Sequence, residues 1–202
     1  MRYQDFVIKD GKLVGKFDEM YKMFDDPWDQ STRELHSNEK IIGLEIIKRN
    51  NHKSVVELGC GHGHYTNRIS SVVERCVGVD ISKNAIEKAS QKYPQCEFIV
   101  SDILNKDLYK KTDCIMMVEI TWYVLDKLSN FKSIISNHPG VGFFHSLNIY
   151  PEGSQMYGND FFTNQNQIID FFSDVINIEE YGSFSKKEYS GCSRTYFYGK
   201  IK

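Results

Sequence analysis

The sequence lacks both a long apolar run and an excess of charge of one sign. Its most apolar stretch, residues 114–125, is shorter than the ~18 residues of a membrane-spanning helix and contains Glu119. The first residues do not form the apolar core of a secretion signal. With 25 Lys and Arg against 27 Asp and Glu, for a net charge of −2, the chain also lacks the basic surface that nucleic-acid binding requires. We therefore expect a soluble, cytoplasmic protein that binds neither nucleic acids nor membranes.

Cysteine and proline are scarce, and no repeat or low-complexity segment is present. The five cysteines are odd in number and never spaced Cys-x-x-Cys, so we expect reduced, apolar side chains rather than disulfides. The four prolines are scattered, and no Pro-rich linker divides the chain. A length of 202 residues without a visible boundary predicts one domain, 1–202, with its oligomeric state left open.

Hydrophobic spacing predicts two helices followed by an α/β sheet. An apolar stripe begins at Phe17 and predicts a short helix that ends before Pro27, and the capping-box spacing of residues 31–34 predicts the start of a second helix. From residue 53, short β-branched runs alternate with helical stretches, which is typical of a mainly parallel, doubly wound sheet. The last two runs are too close for a helical crossover and predict an antiparallel hairpin. The predicted strands are 54–58, 75–80, 97–101, 113–119, 141–149, 176–181 and 194–201, and the later helices are 65–73, 82–92, 125–136 and 165–173.

A glycine-rich loop, residues 59–63, follows the first predicted strand and precedes a helix. Glycines at these positions allow positive φ angles and close approach of a ligand to the backbone, although a tight turn without a ligand stays a possible interpretation. A dinucleotide-binding loop would have its third glycine at the position of His64. The residues Cys60, His62 and His64 are metal-capable, but their i, i+2 spacing is unsuited to a tetrahedral site, so we expect no metal.

Four acidic residues are placed at the ends of the first four predicted strands. Glu57 and Asp80 end the first two strands, Asp102 follows the third, and Glu119 ends the fourth. The carboxyl ends of parallel strands form the edge where open α/β folds bind ligands. This acidic edge would repel a pyrophosphate but suits S-adenosylmethionine, whose two positive charges outweigh its carboxylate. Electrostatics therefore favours the methyl donor over a nicotinamide cofactor.

Three segments, residues 57–63, 77–82 and 100–103, together resemble the successive cofactor motifs of class I S-adenosylmethionine-dependent methyltransferases. The resemblance covers about residues 50–202 and implies a Rossmann-like single domain with a seven-stranded, mainly parallel sheet. It also implies that the glycines face the methionine part of the cofactor, while Asp80 binds the ribose and Asp102 the adenine. Helix capping by Asp80 and a turn at Asp102 stay as alternatives. The implied cofactor contacts are Glu57, Gly59, Gly61, Gly63, Asp80, Ile81, Asp102, Ile103 and Glu119.

Two further segments, residues 24–28 and 114–125, resemble the small methyltransferases related to the nodulation-factor N-methyltransferase, which act on carbohydrates. Relatives of this type also occur among enzymes that modify bacterial surface polysaccharides. The resemblance implies that residues 1–50 form a helical cover over a cofactor-binding core, 51–202. Trp28 would then lie near the sulfonium or the substrate entrance, or else anchor the N-terminal helix to the core.

Methyl transfer needs an acid–base group only if the acceptor carries a proton. The catalytic candidates are His145, Glu119 and Tyr123. His145 could instead be a core histidine, and Glu119 could instead hold the positive part of the cofactor.

Polar and aromatic loops near the chain's second half are the expected acceptor-binding elements. Aromatic faces beside Asn and Gln can bind sugar rings. We expect an enzyme that methylates an oxygen of a carbohydrate-type or phosphorylated precursor, such as one for a bacterial capsule. Methylation of an amino-sugar nitrogen, an NAD-dependent oxidoreductase and a non-catalytic cofactor-binding partner are the alternatives. The acceptor candidates are Tyr150, Tyr157, Lys186 and Tyr189.

Overall fold

A computed structural model describes residues 2–185 and 191–202, without the side chains of residues 33 and 34. The helices are α1 (Phe17–Met23), α2 (Asn38–Arg49), α3 (His64–Ser70), α4 (Lys83–Lys92), α5 (Leu128–Ile135) and α6 (Gln165–Ser173). The strands are β1 (Ile8–Lys9), β2 (Lys12–Leu13), β3 (Ser54–Leu58), β4 (Arg75–Asp80), β5 (Glu97–Val100), β6 (Cys114–Val118), β7 (Gly142–Ile149), β8 (Ile176–Ser185) and β9 (Ser193–Ile201).

The main sheet has seven strands in the order β5-β4-β3-β6-β7-β9-β8. The first five are parallel, whereas β9 runs antiparallel to both β7 and β8. This confirms the predicted α/β fold with its C-terminal antiparallel hairpin. The chain first winds outward from β3 to β5 and then returns to place β6 on the other side of β3. Such a reversal opens a crevice at the carboxyl ends of the central strands.

Strand β6 shows why the sheet is covered on both faces. All five of its residues are buried, as expected for a central parallel strand between two helical layers. Ile115 and Met117 point into a core cluster with α5 and α6. Cys114, Met116 and Val118 point into the opposite cluster, which includes residues of α2 and α3. Strand alternation therefore divides the core between the two faces.

The N-terminal segment packs against α4 through a small core of its own. Phe6, Met20 and Tyr21 contribute to this core together with Ala85 of α4. Asp18 of α1 fastens the contact, because its Oδ1 accepts hydrogen bonds from the Ser82 hydroxyl at 2.8 Å and from the backbone N–H of residue 84 at 2.9 Å. The segment is thereby held beside the carboxyl end of β4.

The predicted start of the second helix at residues 31–34 is wrong. A 3₁₀ turn covers Arg33–His36, and α2 begins at Asn38. The reason is Asp26, whose carboxylate accepts hydrogen bonds from the backbone of Gln30 and from the backbone and hydroxyl of Ser31. These bonds hold the segment in a loop, which a local capping pattern does not reveal.

The β1–β2 hairpin was not predicted, although the sequence carries a signal for it. Asp10 and Gly11 adopt φ angles of 51° and 69° at the turn, as in the Asp-Gly turns that favour two-residue hairpins. No helix among the described residues is long and apolar enough to cross a membrane.

Candidate functional site

A cavity of about 510 Å³ lies at the carboxyl ends of the parallel strands, beneath the N-terminal segment. The segment contributes residues such as Tyr3, Phe17 and Tyr21, and the strand ends contribute the opposite wall. The predicted site residues that line this cavity are Trp28, Glu57, Gly59, Asp80, Ile81, Asp102, Ile103, Glu119, Tyr123 and Tyr150.

Other predicted site residues do not line the cavity. Gly61 and Gly63 belong to the loop beside it. His145 is 1% exposed, stacks on Phe197 and has its Nε2 2.7 Å from the Thr121 hydroxyl. Tyr157 packs at the edge of the α5–α6 core cluster. Lys186 and Tyr189 lie outside the described residues.

The glycine loop has the left-handed backbone that its composition predicts. Gly59, Gly61 and Gly63 have φ angles of 70°, 53° and 73°, which residues with a Cβ rarely adopt. A Cβ at Gly59 would also lie only 2.3 Å from Cγ2 of Ile120. Glycine at position 59 is therefore required both by the backbone angle and by the close approach of the next strand's end.

Asp80 connects the glycine loop to α4. Its carboxylate accepts hydrogen bonds at 2.9 Å from the backbone N–H groups of Gly61 and Ser82. Burial raises its pKa. The cap of α4 is Ser82, whose hydroxyl accepts from the N–H of Ala85, so Asp80 is not needed for capping. Each Asp80 oxygen retains acceptor capacity toward the cavity.

Asp102 is held by a residue that sequence reasoning missed. Lys127 donates a hydrogen bond to Oδ2, and the backbone N–H of Leu104 donates to Oδ1 at 2.9 Å. Burial alone would raise the pKa of Asp102, but these hydrogen bonds outweigh it, and the pKa lies below its ordinary value. Because 25 residues separate Asp102 from Lys127, no local pattern in the sequence could indicate this pairing.

Two buried carboxylates, Glu57 and Glu119, lie at the ends of the central strands. Burial raises the pKa of each to about 7, and at Glu119 the nearby charge of Glu39 adds to the effect. The Thr66 hydroxyl donates to Glu57, and the Ser146 hydroxyl donates to Glu119 at 3.2 Å. A positive group beside either carboxylate would favour its ionised form.

Glu119 also adopts an unusual backbone conformation. Its φ of 60° lies in the left-handed region, where non-glycine residues are uncommon and which is concentrated at functional sites. The turn directs the chain from β6 into the 3₁₀ turn that contains Tyr123. Glu119 and Tyr123 thereby face the same cavity.

Helix α2 supplies charged residues that sequence reasoning also missed. Glu39 is fully buried and accepts a hydrogen bond from Arg194 of β9 at 2.7 Å. The next residue, Lys40, lines the cavity and is 9% exposed. These positions look like an ordinary polar turn of a helix in the sequence, and only the packing of α2 over the sheet shows that they face inward.

Aromatic side chains line the part of the cavity next to the N-terminal segment. The ring of Trp28 lies 4.7 Å from that of Tyr3 and 5.7 Å from that of Tyr123, measured between centroids. Its indole N–H donates to the Tyr21 hydroxyl at 3.2 Å. Trp28 therefore both anchors the segment and faces the cavity. Within the described ranges, no group of three or more His, Cys, Asp or Glu residues is arranged to hold a metal ion.

Known proteins resemble this chain in sequence. A family model described as nodulation protein S (NodS) matches residues 18–141. A putative methyltransferase, 235L of Invertebrate iridescent virus 6, is 29% identical over 116 residues, which cover 56% of this chain and 39% of that protein. Nodulation protein S of Bradyrhizobium diazoefficiens is 26% identical over 114 residues, 54% of each chain. The chain thus spans about half the length or less of these two relatives.

A solved structure resembles the fold over nearly its full length. It is the N-methyltransferase NodS from Bradyrhizobium japonicum WM9 in complex with S-adenosyl-L-homocysteine, with a TM-score of 0.72 and 14% sequence identity. The match covers 91% of this chain and 97% of that chain. At this identity the likeness shows the fold.

Proposed function

The chain belongs to the NodS family of class I S-adenosylmethionine-dependent methyltransferases, and on this basis we propose that it transfers a methyl group to a small carbohydrate-type acceptor. The observation that carries the proposal is the cavity at the sheet edge. It joins a glycine loop with positive φ angles to four carboxylates, those of Glu57, Asp80, Asp102 and Glu119. This charge pattern suits a cationic cofactor and opposes a pyrophosphate.

The residues of the cavity fit such a cofactor. Asp80 has acceptor capacity for ribose hydroxyls, and Asp102 beside Ile103 offers a polar and an apolar contact for an adenine. Ile81 is 55% exposed, which suits an apolar wall that a ring covers. When bound, S-adenosylmethionine supplies an activated methyl group on a sulfonium. Residues 1–50 are proposed to act as the cover over a core formed by 51–202.

The acceptor end is proposed to lie where Tyr123 and Tyr150 face Glu119. The Ser146 hydroxyl donates a hydrogen bond to Oε1 of Glu119, so Oε2 is the atom proposed to take a proton from the acceptor. His145 is the weaker candidate for this role, because it does not line the cavity and burial lowers its pKa to about 3. A core histidine satisfied by Thr121 accounts for its position.

We propose oxygen as the methylated atom, in a precursor of a bacterial surface polysaccharide. Support for a carbohydrate acceptor comes from Trp122, Asn148 and Tyr150, which line the cavity and combine aromatic faces with an amide that can contact a sugar ring. Methylation of an amino-sugar nitrogen is the second candidate. It is favoured by the carboxylate of Glu119, which would attract an ammonium group. We also propose a cytoplasmic location, in keeping with five free cysteines.

A thermal-shift experiment tests the cofactor. S-adenosyl-L-homocysteine at about 100 times its Kd is expected to add about 2.7 kcal/mol of stability. For a domain of this size the melting temperature would rise by about 5–10 °C. NAD is expected to produce no shift. A shift with NAD and none with S-adenosyl-L-homocysteine would refute the proposal.

A matched pair of glycine substitutions locates the binding site. Gly61→Asp adds bulk and negative charge next to Gln30 and Tyr21, where a Cβ would lie 2.4 and 2.7 Å from their polar atoms, and should abolish the thermal shift. Gly140→Asp also has a positive φ, but nothing lies within 4 Å, so it should retain the shift. Release of S-adenosyl-L-homocysteine with sugar hydroxyls, amino sugars and phosphorylated precursors then identifies the acceptor class. Turnover only with amino sugars would overturn the preference for oxygen.

A further inference from the structure

Lys40 presents a buried positive charge to the cavity. The residue is 9% exposed and lines the cavity from α2. Its Nζ lies 5.7 Å from the ring centroid of Tyr65, and its backbone carbonyl accepts a hydrogen bond from the Tyr65 hydroxyl at 2.8 Å. Tyr65 is the second residue of α3, the helix that follows the glycine loop. The Lys40 ammonium is therefore fixed near the glycine loop.

Lys40 differs from the other cations that line the cavity. Lys127 pairs with Asp102, and Arg194 pairs with Glu39. The Lys40 ammonium forms neither a hydrogen bond nor an ion pair with any residue of the described ranges. An ammonium has three donors, and on the wall of the cavity they are accessible to a ligand. The cavity therefore offers an anion-binding group that has no direct ion-pair partner within residues 2–185 and 191–202.

Two carboxylates of the cavity, those of Glu57 and Glu119, interact with the Lys40 ammonium from beyond ion-pair distance. The charge of Lys40 acts on both Glu57 and Glu119 and lowers their pKa values against the larger effect of burial. One cation and two buried carboxylates on the wall of the same cavity are complementary to a group that carries a carboxylate and an ammonium a few atoms apart. That combination is an α-amino acid, as found in the methionine part of the proposed cofactor.

We infer that Lys40 binds the α-carboxylate of the cofactor's methionine part, while Glu57 faces its ammonium group and Glu119 is left to the acceptor. The inference rests on the proposed function and adds a binding residue from outside the glycine loop and the two acidic motifs. A carboxylate on the acceptor is the competing source of the same chemistry. If Lys40 binds the cofactor, removal of its charge weakens cofactor binding. If it binds the acceptor, the same change weakens acceptor binding instead.

The test compares the binding of S-adenosyl-L-homocysteine with that of its carboxamide, in which only the carboxylate is neutralised, by isothermal titration calorimetry. The wild-type protein is expected to bind the acid about 10- to 100-fold more tightly than the amide, as for loss of one charge-assisted hydrogen bond. In Lys40→Met this preference should fall to less than about threefold. The amide retains the ammonium group, so a general disturbance of the site would weaken both ligands and preserve their ratio.

Lys48→Met is the matched control. Lys48 lies on the same helix, is half exposed and pairs with Glu45, so the preference for the acid should match the wild type. Lys40→Arg, which keeps the charge, should retain most of the preference. If Lys40→Met does not fold, Lys40→Gln provides the same comparison.

Other results would overturn the inference. An unchanged preference for the acid in Lys40→Met would contradict it, and so would a wild-type protein that does not distinguish acid from amide. A higher KM for the acceptor with an unchanged preference would assign Lys40 to the acceptor instead. If the wild type bound neither ligand, the proposed function itself would fail. Equal binding of both ligands by a Lys40 variant is a different result, and it is the one expected here.

Discussion

Burial determines the protonation of Glu57, the residue next to the end of the first central strand. Its pKa is raised from 4.5 to about 7, so the folded state retains a proton that the unfolded chain has released. Below about pH 4.5 the group has no effect on stability, because both states are protonated. As the pH rises from about 4.5 to about 7, the stability of the folded state decreases. Above about pH 7 the full cost of the buried Glu57 carboxylate applies.

Glu57→Gln should therefore relieve a penalty that grows with pH. The free energy of unfolding of the variant, minus that of the wild type, should increase by up to about 3 kcal/mol between about pH 5 and about pH 8, so the variant becomes relatively more stable. The measurement is urea denaturation at both pH values. Glu152→Gln, at an exposed position, is the control and should show no such trend. A pH-independent difference for Glu57→Gln would contradict the expected ionisation.

Alanine substitutions at Gly59 and at a control glycine separate the cost of a left-handed backbone from the cost of side-chain overlap. Gly59→Ala adds a Cβ that would clash with Ile120, whereas Gly153→Ala adds one in open space at nearly the same φ, 74° against 70°. The control should lose about 1 kcal/mol of stability from the left-handed backbone alone. Gly59→Ala should lose about 1–3 kcal/mol more. Equal losses in thermal unfolding would show that the loop moves away from Ile120.

Sequence reasoning identified single residues only where a local pattern marked them. Gly59 and Asp80 were predicted because a glycine loop and a strand end have recognisable neighbours. Lys127 and Arg194 were missed because they reach the cavity from elements far away in the chain, and Lys40 was missed because only the packing of α2 turns it toward the cavity. Their functional placement depends on packing, which no local spacing encodes.

Helix α1 is attached to the core chiefly through the first turn of α4. Asp18 accepts from Ser82 and from the backbone and side chain of Asn84, and Lys88 donates to the carbonyl of Tyr21 at 2.7 Å. The hydrogen bonds lower the pKa of Asp18, with the backbone N–H of Asn84 as the largest cause. This part of the attachment should therefore weaken as the pH falls through that lowered pKa.

Asp18→Ala should loosen the N-terminal segment without unfolding the sheet. We expect a local loss of about 1 kcal/mol, comparable to removal of a helix cap. Hydrogen exchange should accelerate in residues 3–24 and remain unchanged in β6, and the dissociation of S-adenosyl-L-homocysteine should become faster. Glu19→Ala is the control, because this neighbour pairs with the exposed Lys16 of the same segment. Unchanged exchange in residues 3–24 would contradict the role of Asp18.

Elements were predicted well where hydrophobic periodicity and burial agree. The bounds of β3, β4 and α6 match the sequence expectation, and the hairpin of β8 and β9 is confirmed. The predicted start of α2 was wrong because the Asp26 carboxylate accepts hydrogen bonds from the backbone of Gln30 and Ser31, which precede the helix. A tertiary or loop contact of this kind overrides local propensity.

The whole molecule depends on a sheet that is packed on both faces. Phe143 of β7 is fully buried, and its ring lies within 6.0 Å of those of Phe131, Phe172 and Phe197, measured between centroids. It therefore links α5, α6 and β9 to the centre of the sheet.

Phe143→Ala should lose about 3–5 kcal/mol of unfolding free energy, because the cavity it leaves cannot close completely. Tyr181→Ala on the edge strand β8 is the control. That side chain is 64% exposed, and the loss should be within about 0.5 kcal/mol. Chemical denaturation measures both, and similar losses would show that the aromatic cluster does not support the sheet.

The sequence by itself determined the α/β class, the glycine loop and the four acidic strand ends, because these depend on alternation, spacing and turn chemistry along a short stretch of chain. Only the tertiary structure decided which side chains share one cavity. It excluded His145 from the cavity, brought Lys40 into it, and placed Trp28 between Tyr3 and Tyr123. The physical reason is that burial, pairing and pKa depend on neighbours contributed by distant segments, and these neighbours are defined only once the sheet and its cover are packed.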